Sequence, residues 1–291
     1  MIQDFISSWA LFHNTYITGC LIGLLLSVVG VLVVARDQIF LGAAVSQAST
    51  LGIALAMRIS GWFGWIHLAW LESDAFLSIM AVVFCVIAAL FTWQGGQMKR
   101  ESYEAATGWI FLISASVSIL IVSKSPHGLE EIYRLLSSNI IGATEADVWV
   151  FSILALLTLS FFGFLRQRVL LLAMDPEMAV SVGMRRRTWE LVISIWLGLV
   201  VGLSIRSSGM LYTFGCLVLP ALIAKNLCRE VFSMFIVAPC IALLIGTAGF
   251  ILSNHYDYPP AQMTIAFLCL FLSAAWLKPR FPSETNGGAV S

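Results

Sequence analysis

The chain has 291 residues, of which 59% are apolar and only 11% are charged, and its mean hydropathy is +0.93. Soluble globular domains carry about a quarter charged residues, so this composition excludes a soluble enzyme, a disordered chain and a secreted disulfide scaffold. Sixteen basic and sixteen acidic residues leave no net charge, so nothing indicates a nucleic-acid partner. The composition predicts an all-α polytopic protein whose main partner is the lipid bilayer.

The apolar residues are grouped in segments that are long enough to cross a membrane. A transmembrane helix needs about 20 mostly apolar residues. We predict nine such helices, over residues 12–35, 38–58, 75–94, 105–123, 148–165, 188–205, 209–226, 231–252 and 260–277. They form a single transmembrane domain over residues 1–280. The tail at 281–291 is rich in small and polar residues and is predicted to be disordered.

Basic residues in the loops predict the orientation of the bundle. With nine crossings and the N-terminus outside, twelve of the sixteen basic residues fall in inside loops or at the C-terminal end. Only Arg58, Lys124, Arg134 and Arg206 fall outside. Cytoplasmic loops are enriched in lysine and arginine, so we predict an external N-terminus and a cytoplasmic C-terminus.

Two external stretches have recognisable character. The stretch at 60–74 contains Trp62, Trp65 and Trp70, which we predict to lie at the level of the lipid headgroups. In the stretch at 124–147 we predict a short helix from Leu129 to Leu136.

The inside loop at 166–187 is the most informative soluble segment. Asp175, Pro176 and Glu177 are typical of a helix start, and Gly183 is typical of a helix stop, so we predict a short helix over 176–182. It could rest on the membrane surface as a connector, or it could dock into a groove of a cytoplasmic partner. The small side chain of Ala179 favours docking, because small residues permit close approach.

The second segment is weakly hydrophobic and holds the candidates for a substrate path. Small residues at four-residue spacing are typical of tight helix packing. Ser46 and Ser49 could likewise serve only to allow tight helix packing. Gln47 is different, because an amide at mid-membrane depth is expected to face a partner or a wet cavity.

Few other residues in the chain could bind an ion. His255 and Asp257 lie at the outer end of the eighth segment, and either they form an external metal site or Asp257 simply starts a turn before two prolines. Cys216 precedes Pro220 in the seventh segment, where it could offer a soft ligand or remain an inert buried thiol.

Four stretches together resemble a known family. Residues 30–52, 175–183, 209–224 and 256–260 occur in the order seen in permeases of metal-ion ABC transporters, the zinc, manganese and iron uptake group. The resemblance implies a subunit of the bacterial plasma membrane that dimerises with a like or unlike permease chain. It also implies cytoplasmic ATPase subunits and an extracytoplasmic solute-binding protein as partners. By this resemblance, Asp175, Pro176, Ala179 and Gly183 couple the permease to the ATPase.

The chain carries no machinery for ATP hydrolysis. The sequence has no Gly-x-x-x-x-Gly-Lys-Ser/Thr phosphate loop and no Gly-Lys pair. We therefore expect no cofactor on this chain and no enzymatic activity of its own, with ATP bound and hydrolysed on a partner subunit. A carrier that works without an ATPase is disfavoured, because such carriers usually embed several ionisable residues in the bilayer.

The substrate path departs from the family pattern. Family members commonly have an Asp and a His four residues apart on the second helix, which suit a divalent metal. Ala43 and Gln47 stand at these positions here. A second permease chain could supply the ligands, the ion could be held loosely through water and other helices, or the substrate could be something other than a bare manganese, zinc or iron ion.

Overall fold

Helices account for the regular structure wherever the chain is described. The computed structural model describes residues 2–63, 74–97, 103–123 and 140–277, and all regular elements within these ranges are helical. They are α1 (Ile2–Ala35), α2 (Ile39–Phe63), α3 (Asp74–Gln97), α4 (Tyr103–Val122), a 3₁₀ turn (Ile140–Gly142), α5 (Glu145–Phe164), α6 (Arg166–Met174), α7 (Pro176–Ser181), α8 (Arg186–Leu227), α9 (Val231–Tyr256) and α10 (Pro260–Leu277). The all-α prediction is confirmed. The predicted helix at 129–136, the side chains of Trp62, Trp65 and Trp70, and the tail at 281–291 lie outside the described residues.

Eight of these helices are long and apolar enough to cross a membrane, namely α1 to α5 and α8 to α10. A straight helix of 42 residues such as α8 would be roughly 63 Å long, about twice the thickness of the hydrocarbon core. Gly209 interrupts it with φ 79° and ψ 168°, a conformation essentially reserved for glycine. The element therefore contains two helices, α8a (186–208) and α8b (210–227).

The two halves of α8 run antiparallel. Near its start, Arg186 lines one cavity together with Arg36, which follows α1. Near its end, Lys225 Nζ lies 2.7 Å from Asp37 Oδ1. Both ends of α8 therefore meet the α1–α2 loop, so the chain crosses the bundle twice within this element. Eight candidate spans are observed among the described residues, and the division of α8 at Gly209 accounts for the ninth predicted crossing.

The bundle has two ends, which we call the Arg36 end and the Tyr16 end. The Arg36 end contains the α1–α2 loop together with α6 and α7, because Arg36 Nη2 donates a hydrogen bond to the Leu172 carbonyl at 3.4 Å. The Tyr16 end contains the start of α1 and the end of α9, where the Tyr16 hydroxyl donates to Asn254 Oδ1 at 3.3 Å.

The segment at 166–187 contains two helices, where the sequence predicts only one. The unpredicted helix is α6, which has two arginines in its first turn. It is stable because Val169, Leu172 and Ala173 are buried on one side. Its arginines project elsewhere, since the Arg168 guanidinium lies 5.7 Å from the centre of the Trp189 ring. The amphipathic pattern of α6 was not predicted because its first turn is basic.

Glycines allow the central helices to approach closely. A Cβ atom built on Gly30 of α1 would lie 1.7 Å from the Leu217 carbonyl oxygen of α8b. A Cβ atom on Gly202 of α8a would lie 2.7 Å from Val82 Cα of α3. Helices in membranes associate through such small residues, because van der Waals packing and close backbone contact hold them together. The centre of the bundle is thus built from α1, α3 and both halves of α8.

Candidate functional site

The helix α7 is fixed at its start by Asp175. One carboxylate oxygen, Oδ1, accepts hydrogen bonds from the backbone N–H groups of Glu177 at 3.0 Å and Met178 at 2.9 Å. Pro176 occupies the first turn, where its missing N–H leaves no hydrogen bond unmade. These contacts satisfy donors that would otherwise be free at a helix N-terminus. The predicted helix start at Asp175 is therefore observed, with the helix ending at Ser181.

The end of α7 is a Schellman motif that depends on Gly183. Gly183 has φ +85°, and its N–H donates to the Val180 carbonyl at 2.9 Å. The Met184 N–H reaches back to the Ala179 carbonyl at 3.0 Å. This pair of bonds requires a left-handed residue, which glycine adopts at little cost. A helix of only six residues is thereby capped at both ends.

Ala179 faces the interior of this chain. Its side chain is fully buried in a cluster that we call the Leu172 cluster, which consists of Val28, Leu32, Phe162, Val169, Leu172, Ala173, Ala179 and Ile193. The small side chain thus lets α7 approach its own bundle, whereas the sequence suggested that it lets a partner approach α7. The orientation of a six-residue helix is set by tertiary packing, which the sequence pattern does not specify.

Three apolar side chains of α7 and its C-cap are exposed. The exposed fractions of Met178, Val180 and Val182 are 54%, 52% and 66%. Met178 and Val182 lie one turn apart on one side of the buried Ala179, and Val180 lies on its other side, so a rigid, capped helix presents apolar side chains on both flanks that are suited to protein contact. We call these three residues the α7 face.

The residues predicted for the substrate path fall into two environments. Ser46, Ser49, Cys216 and Pro220 are buried in contacts between helices, so they are part of the packed core. Gln47 is only partly buried and lies on a stripe of α2 with Phe40, Ala43 and Leu51. Its Oε1 atom is buried and has no hydrogen-bond partner in the described part of the chain. We call this stripe the Gln47 face.

His255 and Asp257 lie at the Tyr16 end. Asp257 adopts a left-handed conformation with φ 54° and terminates α9, as the turn interpretation requires. The His255 ring packs edge-on against Tyr256, with ring centres 4.9 Å apart. Across the described ranges, no group of three His, Cys, Asp or Glu side chains is arranged to hold a metal ion.

One polar cluster, around Glu190, was not predicted from the sequence. The buried carboxylate of Glu190 accepts from Arg186 Nε at 2.8 Å and from Trp93 Nε1 at 3.1 Å. Arg36 lines the same cavity, and burial lowers the pKa of its guanidinium, although the nearby Glu190 opposes this shift. The four-residue spacing of Arg186 and Glu190 on a helix was the one local signal that could have revealed it.

The bundle, with its capped helix exposed at one end, has the architecture of a multi-pass membrane permease. The chain belongs to the ABC 3 transport family, whose pattern it matches over residues 8–278. With eight membrane-spanning elements and this family, it is a multi-pass protein of the bacterial inner membrane.

Individual relatives are distant in sequence but match over most of their length. The chain is 22% identical to the manganese transport system membrane protein MntC of Halalkalibacterium halodurans, covering 95% of this chain and 90% of that protein. It is 24% identical to the high-affinity zinc uptake system membrane protein ZnuB of Haemophilus influenzae, covering 87% and 92%. The solved structure of PsaBC from Streptococcus pneumoniae in complex with Fab matches with a TM-score of 0.78 at 20% identity, covering 96% of each chain.

Proposed function

We propose that this chain is the translocating subunit of an ABC importer that carries a divalent metal ion, with ATP hydrolysed on a partner subunit. Relatives that match over nearly the whole chain are named as manganese and zinc transport proteins. The observation that carries the proposal is the α7 face, which is apolar, exposed and held on a helix capped at both ends. Such a face suits a groove on a cytoplasmic ATPase.

The Arg36 end faces the cytoplasm in this proposal, so the N-terminus is external and the C-terminus internal. Among the described residues, eight of the ten lysines and arginines belong to the Arg36 end, against Arg58 and Arg206 at the Tyr16 end. Those eight are Arg36, Arg166, Arg168, Arg185, Arg186, Arg187, Lys225 and Arg229. The positive-inside rule supports this orientation.

Force applied to α7 has a direct path into the bundle. Ala179 anchors α7 in the Leu172 cluster, which also contains Val28 and Leu32 of α1 and Ile193 of α8a. Side chains in close-packed clusters transmit displacement, because they leave little free volume to absorb it. Closure of two ATPase subunits around nucleotide would therefore move α1 and α8a together with α7.

The substrate path follows the Gln47 face towards a second permease chain, which is of like or unlike sequence. Gln47 offers one neutral amide oxygen, a weak ligand for manganese, zinc or iron. Completing the coordination shell therefore requires water or side chains from the second permease. The solute-binding protein delivers the ion at the Tyr16 end, where His255 and Asp257 remain candidates for an entry site.

Docking is tested by placing a charge on the α7 face. Met178→Glu puts a carboxylate in the first turn of α7, where the helix dipole favours it, so the helix itself is retained. A carboxylate buried in the ATPase groove without a partner should weaken co-purification of the ATPase by at least about tenfold. The matched control is Tyr258→Glu, which places the same carboxylate at an exposed position at the Tyr16 end. It should leave co-purification of the ATPase unchanged. Full retention of the ATPase by Met178→Glu would refute docking through α7.

The substrate is tested separately. The permease, its ATPase and its solute-binding protein are reconstituted in liposomes, and ATP hydrolysis is measured with manganese, zinc or iron. We expect stimulation by at least one of these ions. A complex that assembles but responds to none of them would remove the metal assignment and leave the architecture intact.

A further inference from the structure

A cavity of about 260 Å³ lies inside the Arg36 end of the bundle. Its floor is apolar and includes Val29, Leu41 and Leu197. Its rim is polar, and the polar lining consists of Arg36, Gln38, Trp93, Tyr103, Arg186 and Glu190 together with Ser194. The cavity is enclosed by α1, α2, α3, α4 and α8a of one chain, so it is distinct from the Gln47 face. It is also much larger than the roughly 30 Å³ that one water molecule occupies in the liquid.

The acidic group of this cavity is already neutralised. Both oxygens of Glu190 accept hydrogen bonds, Oε1 from Arg186 Nε at 2.8 Å and Oε2 from Trp93 Nε1 at 3.1 Å. A second cation, Arg187, lies over the Trp93 ring at 5.6 Å from its centre. Glu190 therefore has no capacity to balance a further arginine in full.

Among the described residues, Arg36 is the cavity cation that lacks a carboxylate at ion-pair distance, although the charge of Glu190 still acts on it. Its Nη2 atom makes a single long hydrogen bond of 3.4 Å to the Leu172 carbonyl, and it has no carboxylate within ion-pair distance in the described ranges. Its Nε atom is buried and finds no hydrogen-bond partner among the described residues. A partly buried guanidinium whose buried Nε donor is unused is unfavourable unless an oxygen-rich anion or ordered water completes its hydrogen bonds.

The position of the cavity indicates what such an anion would be attached to. Trp93 and Tyr103 on its rim are residue types that favour the level of the lipid headgroups, while the floor is as apolar as a lipid tail. Arginine forms two parallel hydrogen bonds with phosphate, which makes it the preferred side chain for binding phosphate. Basic cavities between transmembrane helices bind anionic headgroups.

We propose that the cavity at the Arg36 end is a binding site for a phosphate group, held by Arg36 and supplied by the headgroup of an anionic phospholipid. The proposal is independent of the transported substrate and of the docking of an ATPase. A free phosphate ion has the same chemistry and is the other source to be distinguished. Because Arg36 also contacts the Leu172 carbonyl of α6, an occupied site stabilises the contact between α1 and α6 beneath α7.

The site is tested with the purified full-length chain in neutral detergent. Thermal unfolding and native mass spectrometry are followed with phosphatidylglycerol, with phosphatidylcholine, or with inorganic phosphate alone. We expect phosphatidylglycerol to raise the melting temperature and to form a one-to-one adduct, and phosphatidylcholine to do neither. Protection by inorganic phosphate as well would support the site with a soluble anion as its ligand.

Two variants act on the site in opposite ways, with one control. Arg36→Gln removes the charge and should weaken phosphatidylglycerol binding roughly tenfold to a hundredfold. Gln38→Glu adds a carboxylate to the rim beside Arg36, so it should raise the melting temperature without lipid and abolish the lipid-dependent increase. Arg185→Gln makes the same charge change at an exposed position at the same end of the bundle, and it should leave binding unchanged.

The outcomes separate a binding site from a water-filled void. Equal stabilisation by phosphatidylcholine and phosphatidylglycerol would overturn the proposal, as would the absence of any adduct. Should Arg36→Gln fail to fold, Gln38→Glu still decides the matter. A Gln38→Glu protein that folds and retains the full lipid-dependent increase would refute the site.

Discussion

The capping carboxylate of Asp175 offers a sharp test of whether α7 must be preformed to act. In Asp175→Ala, the N–H groups of Glu177 and Met178 lose the oxygen that accepts them at 3.0 and 2.9 Å. Loss of an N-cap costs about 1 kcal/mol, and loss of a negative charge at the positive end of the helix dipole adds about 0.5 kcal/mol. A helix of six residues has little intrinsic stability, so its ordered population should fall roughly tenfold.

The assay for this variant is local. Amide hydrogen exchange over residues 177–182 should accelerate roughly tenfold, while the melting temperature of the bundle stays nearly constant, because α7 lies at its periphery. Association with the ATPase should weaken by a similar factor. Asp175→Asn retains an oxygen acceptor and should lose only the smaller, charge-dependent part. Unchanged exchange in Asp175→Ala, or an equal effect of both variants, would refute the reasoning.

Three further predictions address packing, backbone and orientation. Ala179→Leu should overpack the Leu172 cluster and destabilise the fold by about 1–3 kcal/mol, which a lower melting temperature would show. The control Val180→Leu is at an exposed position and should leave the melting temperature unchanged. Gly209→Ala should cost about 1–3 kcal/mol, since φ 79° and ψ 168° are strained for any side chain, and thermal unfolding measures this loss. An impermeant thiol reagent added to intact cells should label His255→Cys and spare Met178→Cys, and labelling of Met178→Cys alone would reverse the proposed orientation.

The membrane-spanning architecture was predictable because the bilayer imposes length and polarity on each segment. The break between 205 and 209 was also predictable, since Gly209 separates two apolar stretches of transmembrane length. The structure places the break at Gly209 itself, the first residue of the predicted seventh segment. Helix α6 was not predicted, because two arginines in its first turn outweighed the short apolar stripe behind them.

The candidate site was predictable in its local chemistry and unpredictable in its tertiary contacts. The capping hydrogen bonds at Asp175 and Gly183 join residues that are close along the chain, so the capping roles follow from sequence alone. The burial of Ala179 depends on α1 and α5, which are distant along the chain. The cavity around Arg36 likewise unites residues from five helices, and no sequence pattern links Arg36 to Glu190.

The backbone contacts made possible by glycine join α1, α3 and α8 into one stiff unit. Gly30 brings α1 against the main chain of α8b, and Gly202 brings α8a against the main chain of α3, so these helices have no deformable layer of side chains between them. During a working cycle, α1, α3 and α8 should therefore move together as a rigid body. Crosslinks placed between these three helices should leave transport intact.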